Sequence, residues 1–136
     1  MRRSLALLLL LPCLGCGGVK YAPVSGKVLM DGQPLANAHV NFQPIAEGTL
    51  NPGAGSHGKT DENGNYTLEV VGGGQGAVVG NHRVTVSLLI GTYDPNSDAK
   101  KPLPEKVPSK YNTQTTLTCD VPKEGKTDAN FDLKTK

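Results

Sequence analysis

The chain has 136 residues, with 17 Gly, 10 Pro, four Tyr, two Phe and no Trp, which suits one modest core and many short strands rather than helices. Its formal charge of +2 vanishes without Arg2 and Arg3, leaving 12 basic against 12 acidic side chains. A neutral domain has no electrostatic hold on nucleic acid or on an acidic membrane surface, so neither is expected as a partner on charge alone.

In chain order, Met1-Arg2-Arg3 is a positive n-region and Leu5 to Leu11 an apolar run ended by Pro12, the shape of a secretory signal peptide. The run is too short to span a bilayer as a helix. The segment that follows, Cys13-Leu14-Gly15-Cys16-Gly17-Gly18, resembles a bacterial lipobox, in which a small residue precedes a cysteine that is diacylated on sulfur and becomes the new N-terminus. Gly15 and Cys16 match that pattern, while Cys13 stands where the pattern has Leu. The alternative is ordinary cleavage near Gly15 that leaves Cys16 free. Acylation would hold the chain by hydrophobic transfer, at about 0.8 kcal/mol per buried methylene, and two or three acyl chains make the attachment lasting. Gly17 after the cysteine resembles lipoproteins passed on to the outer membrane. These residues divide the chain into a signal (1–15), a lipidated N-terminus and tether (16–23) and a domain (24–134) held close to the membrane.

Cys119 is then left without a partner, and its parity with Leu117 and Val121 makes it a small buried hydrophobe. In the domain's first strand Val24, Gly26, Val28 and Met30 alternate with Ser25, Lys27 and Leu29, up to a turn at Asp31-Gly32. A second strand puts Ala38, Val40 and Phe42 on one face and His39, Asn41 and Gln43 on the other, ending at Pro44. Ile45 to Lys59 reads as a loop with a short edge strand over Ser56 to Thr60. Asp61-Glu62-Asn63-Gly64-Asn65 is a turn, after which Tyr66, Leu68 and Val70 share a face. Gly72 to Gly76 is a linker, because it lacks the Gly-Lys-Ser/Thr ending and the helix of a phosphate loop. His82 to Leu89 is the clearest strand. Gly91 to Pro108, with four prolines and six charged residues, reads as a solvated excursion and an interaction loop. Lys110-Tyr111-Asn112 is expected to rejoin the sheet, and strands at Leu117 to Val121 and Ala129 to Leu133 close a sandwich of about seven strands.

Three stretches together carry a family likeness: Val24 to Phe42, Thr60 to Leu68 (Thr-Asp-Glu-Asn-Gly-Asn-Tyr-Thr-Leu) and Gly80 to Val86 (Gly-Asn-His-Arg-Val-Thr-Val). With Ser-Lys-Tyr-Asn at 109–112 and Asn-Phe-Asp-Leu at 130–133, residues 21–134 resemble the carboxypeptidase regulatory-like domain. That resemblance implies an all-β, seven-stranded, transthyretin- or prealbumin-like Greek-key sandwich, of the kind found in small bacterial lipoproteins built from little else. His82 stands where the family has a tyrosine that packs near one end of the sandwich.

No catalytic set emerges. His39, His57, His82 and Cys119 fall at no zinc-ligand spacing, and Asp61 to Gly72 misplaces the glycine and the closing glutamate of a calcium loop, so no metal or cofactor is expected. The end Asp-Leu-Lys-Thr-Lys differs from the Tyr-Arg-Gly-Ser of hydroxyisourate hydrolases. Tyr66, Tyr93 and Tyr111 do not pair with histidines as in intradiol dioxygenases, and Gly53 to Gly58 contains no Gly-x-Ser-x-Gly elbow. The expectation is a non-enzymatic, lipid-anchored envelope protein of the outer membrane. Its partners would be the membrane, through Cys16, and an envelope protein or glycan, with Lys27, His39, Asn41 and Gln43 as a candidate face. Alternatives are a carbohydrate-binding module, disfavoured by the shortage of aromatics, and a small hydrolase on a transthyretin-like fold.

Overall fold

The computed structural model describes residues 18–48, 51–88 and 104–136. The expected signal, the Cys16 acylation site and most of the Gly91 to Pro108 excursion lie outside the described residues.

Eleven short strands form: β1 (Tyr21–Ala22), β2 (Ser25–Met30), β3 (Gln33–Pro34), β4 (His39–Pro44), β5 (Ser56–Lys59), β6 (Asn65–Thr67), β7 (Glu69–Val70), β8 (Ala77–Val78), β9 (Gly80–Ser87), β10 (Thr118–Val121) and β11 (Phe131–Leu133). Among the described residues the only helical element is a 3-10 turn at Ser109–Tyr111. One sheet has the order β10-β9-β4-β5-β7; in the other, β2 lies between β11 on one side and β3 and β6 on the other. All pairings within these sheets are antiparallel except β11 with β2. The protein is an all-β sandwich.

The core forms where the alternation predicts. Val28, Tyr66 and Leu133 from one sheet meet Val40, Phe42, Val84, Val86 and Val121 from the other. Phe42 and Phe131 bridge the layers edge to face, with centroids 6.2 Å apart. Burying a side chain such as Phe42 is worth about 1.5–3 kcal/mol. Asp31 and Gly32 take φ of 50° and 81°, which gives the β2–β3 reversal the twist of its flanking strands. At Gly26 the backbone passes so close to β11's approach that a β-carbon would sit 1.9 Å from the Ala129 carbonyl oxygen. That same oxygen accepts a 2.5 Å hydrogen bond from the buried Tyr66 hydroxyl, so glycine and tyrosine together seat the last strand.

Several expected elements differ. Tyr66, Leu68 and Val70 are all buried as their shared parity requires, but the stretch belongs to both sheets: β6 pairs with β2, and β7 pairs with β5. The chain changes layers at Leu68, whose N–H donates to the Val24 carbonyl at 2.9 Å. As a result β5 is not an edge strand but lies between β4 and β7. Lys110-Tyr111-Asn112 forms no strand. It belongs to the 3-10 turn and its cap, docked by Asn112 Nδ2 donating to the Val107 carbonyl (3.2 Å) and by the Lys134 N–H donating to the Tyr111 hydroxyl (2.9 Å). The end of the expected solvated excursion is built in as well. Val107 is buried, and the Glu105 carboxylate accepts from the N–H groups of Leu88 and Val107 at 3.0 Å each and from the Ser87 hydroxyl. Finally, the expected tether is shorter than residues 16–23. Tyr21 and Ala22 pair with Val78 and Ala77, and Ala22 is buried.

Candidate functional site

Because β4, β5 and β9 alternate, each residue between two buried ones faces away from the core. On β4 these are His39, Asn41 and Gln43; on β5, His57 and Lys59; on β9, Arg83, Thr85 and Ser87. The register aligns them in rows. His39 sits between Lys59 and Ser87, Asn41 between His57 and Thr85, and Gln43 beside Arg83. Asn41 Nδ2 lies 3.4 Å from Thr85 Oγ1, a long hydrogen bond that orients the amide within the sheet surface. The His39 imidazole is held below the usual histidine pKa, first by partial burial and then by the charges of Lys59 and His57. A neutral His39 offers one donor and one acceptor beside two amides and two cations. The face is suited to hydrogen-bonding a polar surface.

Three of the four expected face residues, His39, Asn41 and Gln43, are thereby brought together. Lys27 is not among them. It lies on β2, in the other sheet, where its backbone N–H donates to Asn130 Oδ1 at 2.9 Å, and it borders a shallow polar groove with Asp61, Asn65 and Thr127. Parity alone could not reveal this, since it places a residue on a face of its own strand but does not say which sheet that strand joins.

Cys119 and His82 point the other way. They are directly opposed on β10 and β9, both facing the core, and burial pushes the thiol pKa up. His82 is fully buried, tilted against Phe42 with ring centroids 5.5 Å apart. Its Nδ1 lies 2.9 Å from the Gly80 carbonyl oxygen and its Nε2 has no hydrogen-bond partner. Burial lowers its pKa, with the Gly80 and Cys119 carbonyls and the Asp120 charge acting in the opposite direction. Ser56 Oγ is likewise buried and unpartnered. β4 runs between the strands that carry Ser56 and His82, two interstrand spacings or about 9.5 Å apart, and the two residues are also offset along the sheet, Ser56 in register with Phe42 and His82 with Pro44, so they form no dyad.

Asp61 spends one carboxylate oxygen on its own turn, accepting from the N–H groups of Asn63 and Asn65 at 2.9 Å each. Tyr66 donates to Ala129, Tyr111 belongs to the 3-10 turn, and Tyr93 lies outside the described residues. Among the described residues, no three His, Cys, Asp or Glu side chains are grouped to hold a metal ion. Nor is any helix among them long and apolar enough to cross a membrane.

Two residues matter locally in ways that strand periodicity does not signal. Thr60, which is buried, donates through Oγ1 to the Leu35 carbonyl (2.6 Å) and accepts from the Ala38 N–H (2.8 Å), locking the β3–β4 connection to the end of β5. Glu105 ties the return of the chain after residue 103 to the end of β9. Both act through contacts far apart in the chain, which periodicity does not encode.

Compared with protein-family models, curated proteins and solved structures, the chain matches none.

Proposed function

We propose that the protein is a non-catalytic lipoprotein of the bacterial envelope, acylated on Cys16 and displaying its β-sandwich from the outer membrane for a structural or binding role. The observation that carries this reading is the order Arg2-Arg3, Leu5 to Leu11, Gly15-Cys16 at the N-terminus. The sandwich is proposed to be of the transthyretin-like, seven-stranded Greek-key kind, as a carboxypeptidase regulatory-like domain, on the strength of residues 24–42, 60–68 and 80–86. In such a protein the anchor supplies location and the domain supplies a surface. The face of His39, Asn41, Gln43, His57 and Arg83 is the surface assigned to an envelope protein or glycan, through hydrogen bonds rather than aromatic stacking.

The non-catalytic part of the proposal draws on the separation of reactive groups. Cys119, His82 and Ser56 face the core, while His39 and His57 stand on the outer face, and Ser87, paired with His39 there, donates its hydroxyl hydrogen to the Glu105 carboxylate. Metabolic labelling with a palmitate analogue tests the anchor. Wild-type protein should take up label and fractionate with membranes, and Cys16→Ala should do neither. An unlabelled wild type, or label that survives the substitution, would remove the proposal.

A further inference from the structure

Four large hydrophobic side chains are exposed among the described residues: Val19 (47%), Tyr21 (46%), Ile45 (44%) and Val71 (60%). They do not scatter. β4 runs toward Pro44, β7 toward Val70 and β1 away from the N-terminus, while β5 starts at Ser56 and β9 at Gly80. The register of these strands places all of those points at one end of the sandwich.

Backbone contacts fix the segments that carry all four at this end. The Lys20 carbonyl accepts from the Val79 N–H, the Ile45 N–H donates to the Asn81 carbonyl, and the Val71 N–H donates to the Gly55 carbonyl, each at 2.9 Å. Val19 and Val78 methyls both lie about 3 Å from where a Gly53 β-carbon would be, and Tyr21 pairs with Val78. Among the described residues, the opposite end holds the Asp31-Gly32 turn, the Asp61 to Asn65 turn and residues 134–136, whose exposed side chains are polar or charged. Val19 and Tyr21 lie where residue 18 enters the fold, at the same end as Ile45 and Val71.

We infer that this end of the sandwich rests on the lipid bilayer, with Val19, Tyr21, Ile45 and Val71 at the headgroup boundary. The inference depends on the acylation of Cys16 proposed above. Four residues lie between Cys16 and the first paired residue, Tyr21, so five residue steps give a reach of at most about 18 Å. That is less than the length of β9, about 26 Å for its eight residues. An acylated chain therefore holds this end, and not the other, against the membrane. Tyrosine and aliphatic side chains gain by partitioning into the boundary region. The charged side chains at this end are of both signs: Lys20 and Lys123 beside Glu47, Asp120 and Glu124. The polar face around Asn41 then stands to the side of the bilayer normal, accessible to a partner.

The test uses the full chain, processed in bacteria and reconstituted in vesicles of phosphatidylethanolamine and phosphatidylglycerol containing a headgroup-nitroxide lipid. Bimane is attached at Ile45→Cys, Val71→Cys or, at the opposite end, Glu62→Cys, in a Cys119→Ala background, with palmitate incorporation measured on each variant. The nitroxide should quench the labels at 45 and 71 several-fold more than the label at 62. Palmitate-positive protein with equal quenching at all three sites overturns the bilayer contact and leaves the anchor standing. Burial of the 45 and 71 labels in cell envelopes, without quenching in pure lipid vesicles, assigns the patch to a protein partner and also overturns it. Absence of palmitate removes the anchor reading and this inference together.

Discussion

His39 and His82 stand on adjacent strands of one sheet and live in opposite surroundings. His39 is half-exposed among Lys59, Ser87 and His57, free to exchange hydrogen bonds with a partner. His82 is sealed against Phe42 and Cys119 with one ring nitrogen unpartnered. The same two-residue alternation makes both environments. What differs is which face of the sheet meets the second layer, so Cys119 and His82 are enclosed on the dry side while His39 and Ser87 pair on the wet side, where the Ser87 hydroxyl donates to Glu105.

That contrast should be easiest to break from the dry side. Phe42→Ala removes the ring that touches both His82 and Phe131, and is expected to cost about 3–5 kcal/mol. The urea midpoint should fall steeply, and a fall no larger than that of an outer-face variant would contradict the core assignment. A smaller loss, about 2 kcal/mol, is expected for Thr60→Val, which keeps the shape but leaves the Leu35 carbonyl and the Ala38 N–H without their buried partner. Urea unfolding of Thr60→Ser, which retains both bonds, provides the matched control.

His82 sharpens the comparison through pH. Its pKa is lowered in the folded protein relative to an ordinary value near 6.5, so the unfolded chain takes up the proton first as pH falls. Its contribution to stability is complete above about pH 6.5 and declines below that, by at most about 1.4 kcal/mol per pH unit, until the folded-state pKa is reached. Replacing His82 with Phe, which fills the same apolar site without a titrating group, should flatten the stability profile between pH 6.5 and pH 5. A profile of unchanged slope would show that other groups dominate acid unfolding.

The alternation that makes these two faces was legible in the residues themselves, as were the Asp31-Gly32 and Asn63-Gly64 reversals, because both depend on near neighbours in the chain. Parity put Val40, Phe42, Val84 and Val86 inside and His39 and Asn41 outside without any knowledge of the fold. What could not be read was pairing between distant segments. Leu68 marks a change of layer only because Val24 and β5 lie where they do, and Lys27 leaves the His39 face because β2 joins the other sheet. Tyr21 and Ala22 looked like tether because a two-residue strand has no period, and only the presence of Ala77 and Val78 gives it a partner. The candidate site was therefore visible as a pattern on β4 and invisible as a surface, since His57, Arg83 and Thr85 join it through register alone.

The smallest expected effect on stability is the one that bears most on function. Asn41→Ala combined with His39→Ala removes one long hydrogen bond and two partly exposed side chains, and should shift the urea midpoint by no more than the equivalent of about 0.5 kcal/mol. If the outer face is the recognition surface, this near-silent double variant should lose the proteins or glycans that cross-link to the wild type in envelope membranes, while still fractionating with the membrane through Cys16. Cross-linking that survives both substitutions would move recognition away from β4. In that case the groove beside Lys27, which is polar, lies on the other sheet and is untouched by either substitution, becomes the next surface to mutate.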